Sequence, residues 1–304
     1  MTQPVNFADR LNAAVERKAS CAVVGLDPHL DLLPPEFEAA REAGRPRKER
    51  AARMGDFCLQ LLEVVAPLVP AVKPQSAFFE VLGADGALQW ERVVRRSREL
   101  GLLVIGDVKR GDIASTARAY ASAFLEGEGP SDPTRCDAVT LSPFLGADSI
   151  EPFLEVCART GGGIFVLVRT SNPGSADFQR LGKPELSQAI AARVSHWGAG
   201  LVGKCGLSAV GAVVGATHAA ELASFREAMP RAPFLLPGYG AQGAGGADVR
   251  GAFLGGRRGA LVNSSRGISF AYKEARYAGL SWQSAALSAT RAMILDLESS
   301  LGKR

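Results

Sequence analysis

Eight short apolar runs, separated by longer helical patterns, constrain the fold of this chain more than any other feature. They are Cys21 to Leu26, Ala71 to Lys73, Leu102 to Gly106, Ala138 to Leu141, Ile164 to Val168, Val210 to Val214, Phe234 to Leu236 and Ala260 to Val262. Such short runs, rich in β-branched residues and without alternation, read as strands buried on both faces. Each ends in a polar or glycine-rich turn and most are followed by a helix, so the chain reads as successive βα units. Eight units of this kind close naturally into a (β/α)8 TIM barrel, and a length of 304 residues suits one such domain. No linker divides residues 1–304, so a single barrel domain is expected, with short loop insertions and a C-terminal helix. Phe57, Leu61, Val64, Val65 and Leu68 recur at helical spacing, which predicts an amphipathic helix over 50–69, stopped by Pro67 and Pro70. Residues 41–50 and 126–135 read as insertions. The first, REAGRPRKER, is rich in Arg and Lys and reads as a solvated face rather than a binding patch. Trp282, Leu287, Met293, Ile294 and Leu297 suit a terminal helix packed on the barrel.

A barrel of this class builds its active site from the loops at the C-terminal ends of its strands. Those ends are polar here. The stretch LLVIGDVKRGDIAST, residues 102–116, delivers charges to the end of a buried strand. Side chains alternate along a strand, so Asp107 and Lys109 are expected to point together, while the position of Asp112 is set by the turn after Gly111. An acid, a base and a second acid at one strand mouth perturb each other's pKa and make a candidate reaction centre. The same spacing also fits an ion pair followed by a helix N-cap at Asp112. Lys73 closes another buried run, where a lysine is costly unless paired, so it is expected to meet one of the aspartates. The seventh strand ends in GYGAQG, residues 238–243, which matches the dinucleotide pattern G-x-G-x-x-G. It lies late in the chain, with Leu261-Val262-Asn263 where the acidic residue of that fingerprint belongs, so NAD binding is not expected. Phosphate binding fits better, because barrels often seat a phosphate after strands seven and eight. Arg266 would supply the charge and Gln242 would close over it. The three histidines, His29, His196 and His218, form no Ser/His/Asp or metal-ligand arrangement and read as structural.

Composition narrows the function further. The net charge of +4 is a modest excess over 31 acidic residues, which does not indicate nucleic-acid binding but suits a small anionic ligand. Five scattered cysteines without a Cys-x-x-Cys pair read as reduced, buried thiols. The first residues contain acids and no continuous apolar core, and no run of about 18 apolar residues occurs, so a cytoplasmic protein with no membrane partner is expected.

Taken together, Gly25-Leu26-Asp27-Pro28, Lys73-Pro74-Gln75, Asp107-Val108-Lys109-Arg110-Gly111-Asp112-Ile113, Ser171-Asn172-Pro173, residues 237–243 and Arg266 closely resemble the orotidine 5′-phosphate decarboxylase family, in particular its longer bacterial (type 2) branch. The Asp-x-Lys-x-x-Asp motif alone is shared with metal-dependent sugar-phosphate barrels. Those relatives carry an acidic metal ligand on strand two, where this chain has Lys73. The resemblance implies decarboxylation of orotidine 5′-phosphate to UMP, the last step of pyrimidine nucleotide synthesis, without cofactor or metal, in a homodimer. It implies a charged array of Lys73, Asp107, Lys109 and Asp112, with Asp112 reaching in from the partner subunit together with Ile113 and Thr116. Lys109 would be the proton donor to a carbanion at C6 of the pyrimidine. Asp27 and Lys73 would hold ribose hydroxyls, Gln242 and Arg266 the phosphate, and Ser171 the pyrimidine, with Thr170 and Ser142 as neighbours of similar chemistry.

Overall fold

A computed structural model describes residues 4–129, 132–240 and 243–302. The eight strands are β1 (Ala22–Leu26), β2 (Ala71–Pro74), β3 (Leu103–Arg110), β4 (Ala138–Leu141), β5 (Gly163–Arg169), β6 (Val210–Val214), β7 (Phe234–Pro237) and β8 (Ala260–Ser264). They pair in chain order, all parallel, and β8 closes on β1. The eight apolar runs therefore mark the eight strands, and the expected (β/α)8 barrel forms. The largest departure is β3, which continues four residues past the expected Gly106 and carries Asp107 and Lys109 within it.

Alternation along the strands sorts their residues into two sets. Val24, Val72, Val104, Val139, Val166 and Val262 face outward, into the layer beneath the helices. Val23, Ala71, Ile105, Ala138, Phe165, Val213, Leu235 and Leu261 face inward and fill the barrel. Two residues further along the inward face come Gly25, Lys73, Asp107, Thr140, Leu167, Pro237 and Asn263. One period of a strand thus converts an apolar layer into a largely polar one at the C-terminal mouth.

The opposite mouth is shut by a helix that the apolar runs did not reveal. Helix Phe7–Lys18 begins at Asn6, whose side chain accepts a hydrogen bond from the Ala8 amide, and inserts Phe7, Leu11 and Val15 into the interior cluster. The Phe7 ring meets Phe165 edge to face, with centroids 5.9 Å apart. Gly163 makes room for it, since a Cβ there would lie 2.3 Å from the Phe7 ring.

The amphipathic helix over 50–69 is observed as Arg47–Val65, starting after Pro46 and ending just before Pro67. Residues 47–50 of the basic segment therefore form its first turn. Arg45 pairs with Glu42 and Glu49 at 2.7 Å each, and Arg47 with Asp85 at 2.9 Å, all at the surface. Helix Trp282–Leu301 packs on this one. Trp282 sits 5.8 Å from Phe37 and 5.0 Å from Phe57, centroid to centroid. No described helix is long and apolar enough to cross a membrane.

Candidate active site

Three charged side chains meet at the polar mouth. Asp107 offers one carboxylate oxygen to each of two ammonium groups: Oδ2 accepts from Lys73 Nζ at 2.5 Å and Oδ1 from Lys109 Nζ at 2.5 Å. Lys73 and Asp107 are buried, whereas the Lys109 side chain is 46% exposed. Burial pushes the Asp107 carboxyl upward, but the two ammonium groups outweigh it and hold Asp107 well below the ordinary carboxylate range. Burial opposes the charge on Lys73, yet Asp107, and next Asp27, hold its ammonium above the usual lysine value. Asp107 is therefore a carboxylate, and Lys73 an ammonium, through the neutral range. The outer member of the three, Lys109, is the more exposed of the two lysines at the mouth. Asp27 follows β1 on the inner face, and its Oδ1 is buried with no hydrogen-bond partner among the described residues. The same holds for Asn263 Oδ1 on β8. Two acceptors left open at one mouth suit a ligand with hydroxyl donors.

Asp107 and Lys109 meet as expected, but not through regular alternation. The pairing of β3 with β4 is regular at Ile105 and Gly106, then shifts before Arg110. Within that irregularity Lys109 has φ +42°. A lysine in the left-handed region costs roughly 1–3 kcal/mol and is held only by its surroundings. The kink leaves Val108 buried while turning Lys109 back over Asp107.

Lys73, Asp107, Lys109, Thr170 and Ser171 line one cavity of about 540 Å³ above the barrel, with Thr140, Leu167 and Pro237 among its other walls. Ser142 does not line it. Arg266 lies elsewhere, exposed at the start of a short helix and lining a neighbouring cavity of about 690 Å³ with Tyr239, Gly240 and Ser264. Gln242 falls outside the described residues. On either side of that gap, Tyr239 Oη donates to Asp296 Oδ2 at 2.7 Å and the Gly246 amide donates to the same oxygen at 2.7 Å. The terminal helix thus does more than pack: through Asp296 it holds both flanks of the β7 turn. Gly238, Gly240 and Gly243 all have positive φ, so this turn needs glycine for its conformation.

Asp112, Ile113 and Thr116 do not join the cavity of their own chain. Helix Ala114–Ala121 begins after Ile113 with no side-chain cap, and Asp112 Oδ1 instead accepts from the Ile113 amide at 2.8 Å. The N-cap reading of Asp112 is therefore incorrect, because the helix starts one residue too late for it. Ile113 is 50% exposed.

Several residues at the site were not singled out from the sequence. Thr140 donates to Asp107 Oδ1 at 2.9 Å; its place two residues after the inward Ala138 is the signal that could have found it. Arg169 is buried at the end of β5, where it donates to Ser175 Oγ at 2.7 Å and pairs with Glu221 at 3.1 Å, tying down the loop that carries Thr170 and Ser171. Gln179 Oε1 accepts from the Thr170 amide at 2.8 Å. Among the described residues, no group of three or more His, Cys, Asp or Glu side chains could hold a metal ion.

A closed (β/α)8 barrel with a Lys–Asp–Lys string at a mouth cavity defines an enzyme of the barrel class acting on a small charged molecule. Comparison with known proteins narrows the class. Residues 23–279 match the model of the orotidine 5′-phosphate decarboxylase / HUMPS family, and the chain belongs to that family. It is 45% identical over 295 residues to the orotidine 5′-phosphate decarboxylase of Rhodopirellula baltica, covering 94% of this chain and 97% of the relative. The corresponding protein of Petrotoga mobilis is 38% identical over 298 residues, covering 97% and 99%. Among solved structures, a Streptomyces avermitilis chain matches with a TM-score of 0.81 at 33% identity over 99% of this chain and 97% of its own. The Leishmania donovani OMP decarboxylase matches with a TM-score of 0.75 at 30% identity, covering 99% and 100%.

Proposed function

We propose that this chain decarboxylates orotidine 5′-phosphate to UMP and CO2 without a cofactor, with Lys109 as the proton donor. The observation that carries this reading is the Lys73–Asp107–Lys109 string at the mouth of a barrel that belongs to the family. Heterolysis of the bond between C6 and the carboxylate releases CO2 and leaves the electron pair on C6. An ammonium held beside that carbon stabilises the developing negative charge and then gives C6 its proton, becoming an amine that solvent reprotonates. Lys109 suits this role, because Asp107 keeps it close while its side chain stays open to the cavity. Asp107 also stands where a substrate carboxylate would meet like charge, which is relieved as CO2 leaves. The orphaned Asp27 Oδ1 and the Lys73 ammonium suit ribose hydroxyls. Ser171 or Thr170 suits the pyrimidine edge, and the positions of both on the cavity wall favour them over Ser142. Arg266 and Gln242 suit the phosphate, whose binding energy, remote from the reacting carbon, can hold the closed site together.

The working unit in this reading is a homodimer, with Asp112 of each chain completing the array of the other and Ile113 and Thr116 entering beside it. Ile113 and the nearby Phe144 and Leu145 are all half or more exposed, and the contact of Gly111 with Ser142 keeps the two segments adjacent. Exposed apolar side chains grouped beside a charged mouth suit an interface that buries them. The resemblance of the chain's motifs, from Gly25-Leu26-Asp27-Pro28 to Arg266, suits the longer, type 2 branch. The test is the ultraviolet loss of orotidine 5′-phosphate with EDTA present. Stoichiometric formation of UMP is expected, and activity that chelation abolishes would instead point to a metal-dependent sugar-phosphate enzyme.

A further inference from the structure

We infer that Thr140 is a positioning residue that fixes the proton-donating lysine by closing a ring of hydrogen bonds through Asp107. Where β3 loses register with β4, the Lys109 amide donates to Thr140 Oγ1 at 3.0 Å. The same hydroxyl donates to Asp107 Oδ1 at 2.9 Å, and that oxygen accepts from Lys109 Nζ at 2.5 Å. An ionised carboxylate can only accept and an amide N–H can only donate, so the hydroxyl has one orientation that satisfies both. Lys109 is therefore gripped twice, at its backbone and at its ammonium, by groups that share one oxygen. Thr140 is buried on the inward face of β4, at the wall of the cavity. The inference rests on the decarboxylase reading for the meaning of Lys109, and on geometry alone for the grip itself.

A misplaced reacting group lowers turnover without weakening the rest of the binding surface. Thr140→Val, which keeps the shape and removes the hydroxyl, is expected to lower kcat at least about tenfold while KM stays within about twofold. Thr140→Ser is expected to recover most of the lost kcat. Should the valine variant fail to fold, Thr140→Ala takes its place. A readout independent of turnover is hydrogen exchange of the Lys109 amide, expected to quicken at least about tenfold in the valine variant and not in the serine variant. Wild-type kcat in a folded Thr140→Val protein would overturn the inference, as would a serine variant as impaired as the valine one. So would an unchanged Lys109 amide. A wild-type protein inactive on orotidine 5′-phosphate would sink the decarboxylase reading instead, and the exchange measurement would still decide the grip.

Discussion

In the proposed reaction Lys109 is the residue on which the chemistry turns, and its unusual backbone leaves it available. A regular strand would carry this side chain on the same inward face as Asp107 but one layer further along. The turn to φ +42° keeps it against Asp107 but leaves it open to the cavity. Lys109→Ala is expected to leave the fold intact and to lower turnover by at least roughly 10² to 10⁴, the range of general acid catalysis alone. Near-normal turnover of a folded Lys109→Ala protein would remove it from the mechanism. Asp107 contributes through charge. Its folded pKa is depressed by two ammonium groups, so its stabilisation is complete above the ordinary carboxylate value of about 3.9 and is lost as pH falls through the lower folded value. The difference in Tm between wild type and Asp107→Asn should thus stay constant from about pH 8 to about pH 5 and narrow only below about pH 4. A difference that collapses between about pH 5 and pH 7 would mean that Asp107 takes up its proton in the neutral range.

At the scale of elements, the strands were legible because β-branched residues buried on both faces leave continuous apolar runs. The last four residues of β3 were not, since Asp107, Lys109 and Arg110 are charged and hydrogen bonding rather than apolarity keeps them in the strand. Helix Phe7–Lys18 shows the converse. Phe7, Leu11 and Val15 stand at helical spacing, but only the closed barrel reveals that this stripe fills its floor. Phe7→Ala should cost about 3–5 kcal/mol of stability, as truncation of a fully buried aromatic does, and should leave kcat little changed because the ring lies at the far mouth. Denaturant unfolding and kinetics on the same sample test both halves. Of the site, the members of the Lys73–Asp107–Lys109 string could be named in advance, whereas the grip of Thr140 and the anchoring of the β7 turn by Asp296 depend on contacts between distant strands and helices. Arg266, set apart from the string across the mouth, should matter for the phosphate alone. Arg266→Ala is expected to lower kcat/KM at least about tenfold for the phosphorylated substrate, from a charge-assisted contact worth about 1.5–3 kcal/mol, and far less for the nucleoside. Equal losses for both substrates would put the phosphate elsewhere.

The whole molecule poses the question that its single chain leaves open, because Asp112 lies beside the string in sequence and outside its cavity in space. A dimer resolves this if each chain lends Asp112 to its neighbour while keeping Lys109 for itself. Homodimers of Lys109→Ala and of Asp112→Ala should then each be nearly inactive. A mixed dimer, however, carries both defects in one site and neither in the other. Random exchange of equal amounts makes half of the dimers mixed, with one good site each, so about a quarter of wild-type activity should return. The most direct test mixes the two variants, follows exchange by mass-tagged chains, and assays decarboxylation of orotidine 5′-phosphate. Recovery of about a quarter of wild-type activity is the predicted result, and exchange without any recovery would contradict the shared array.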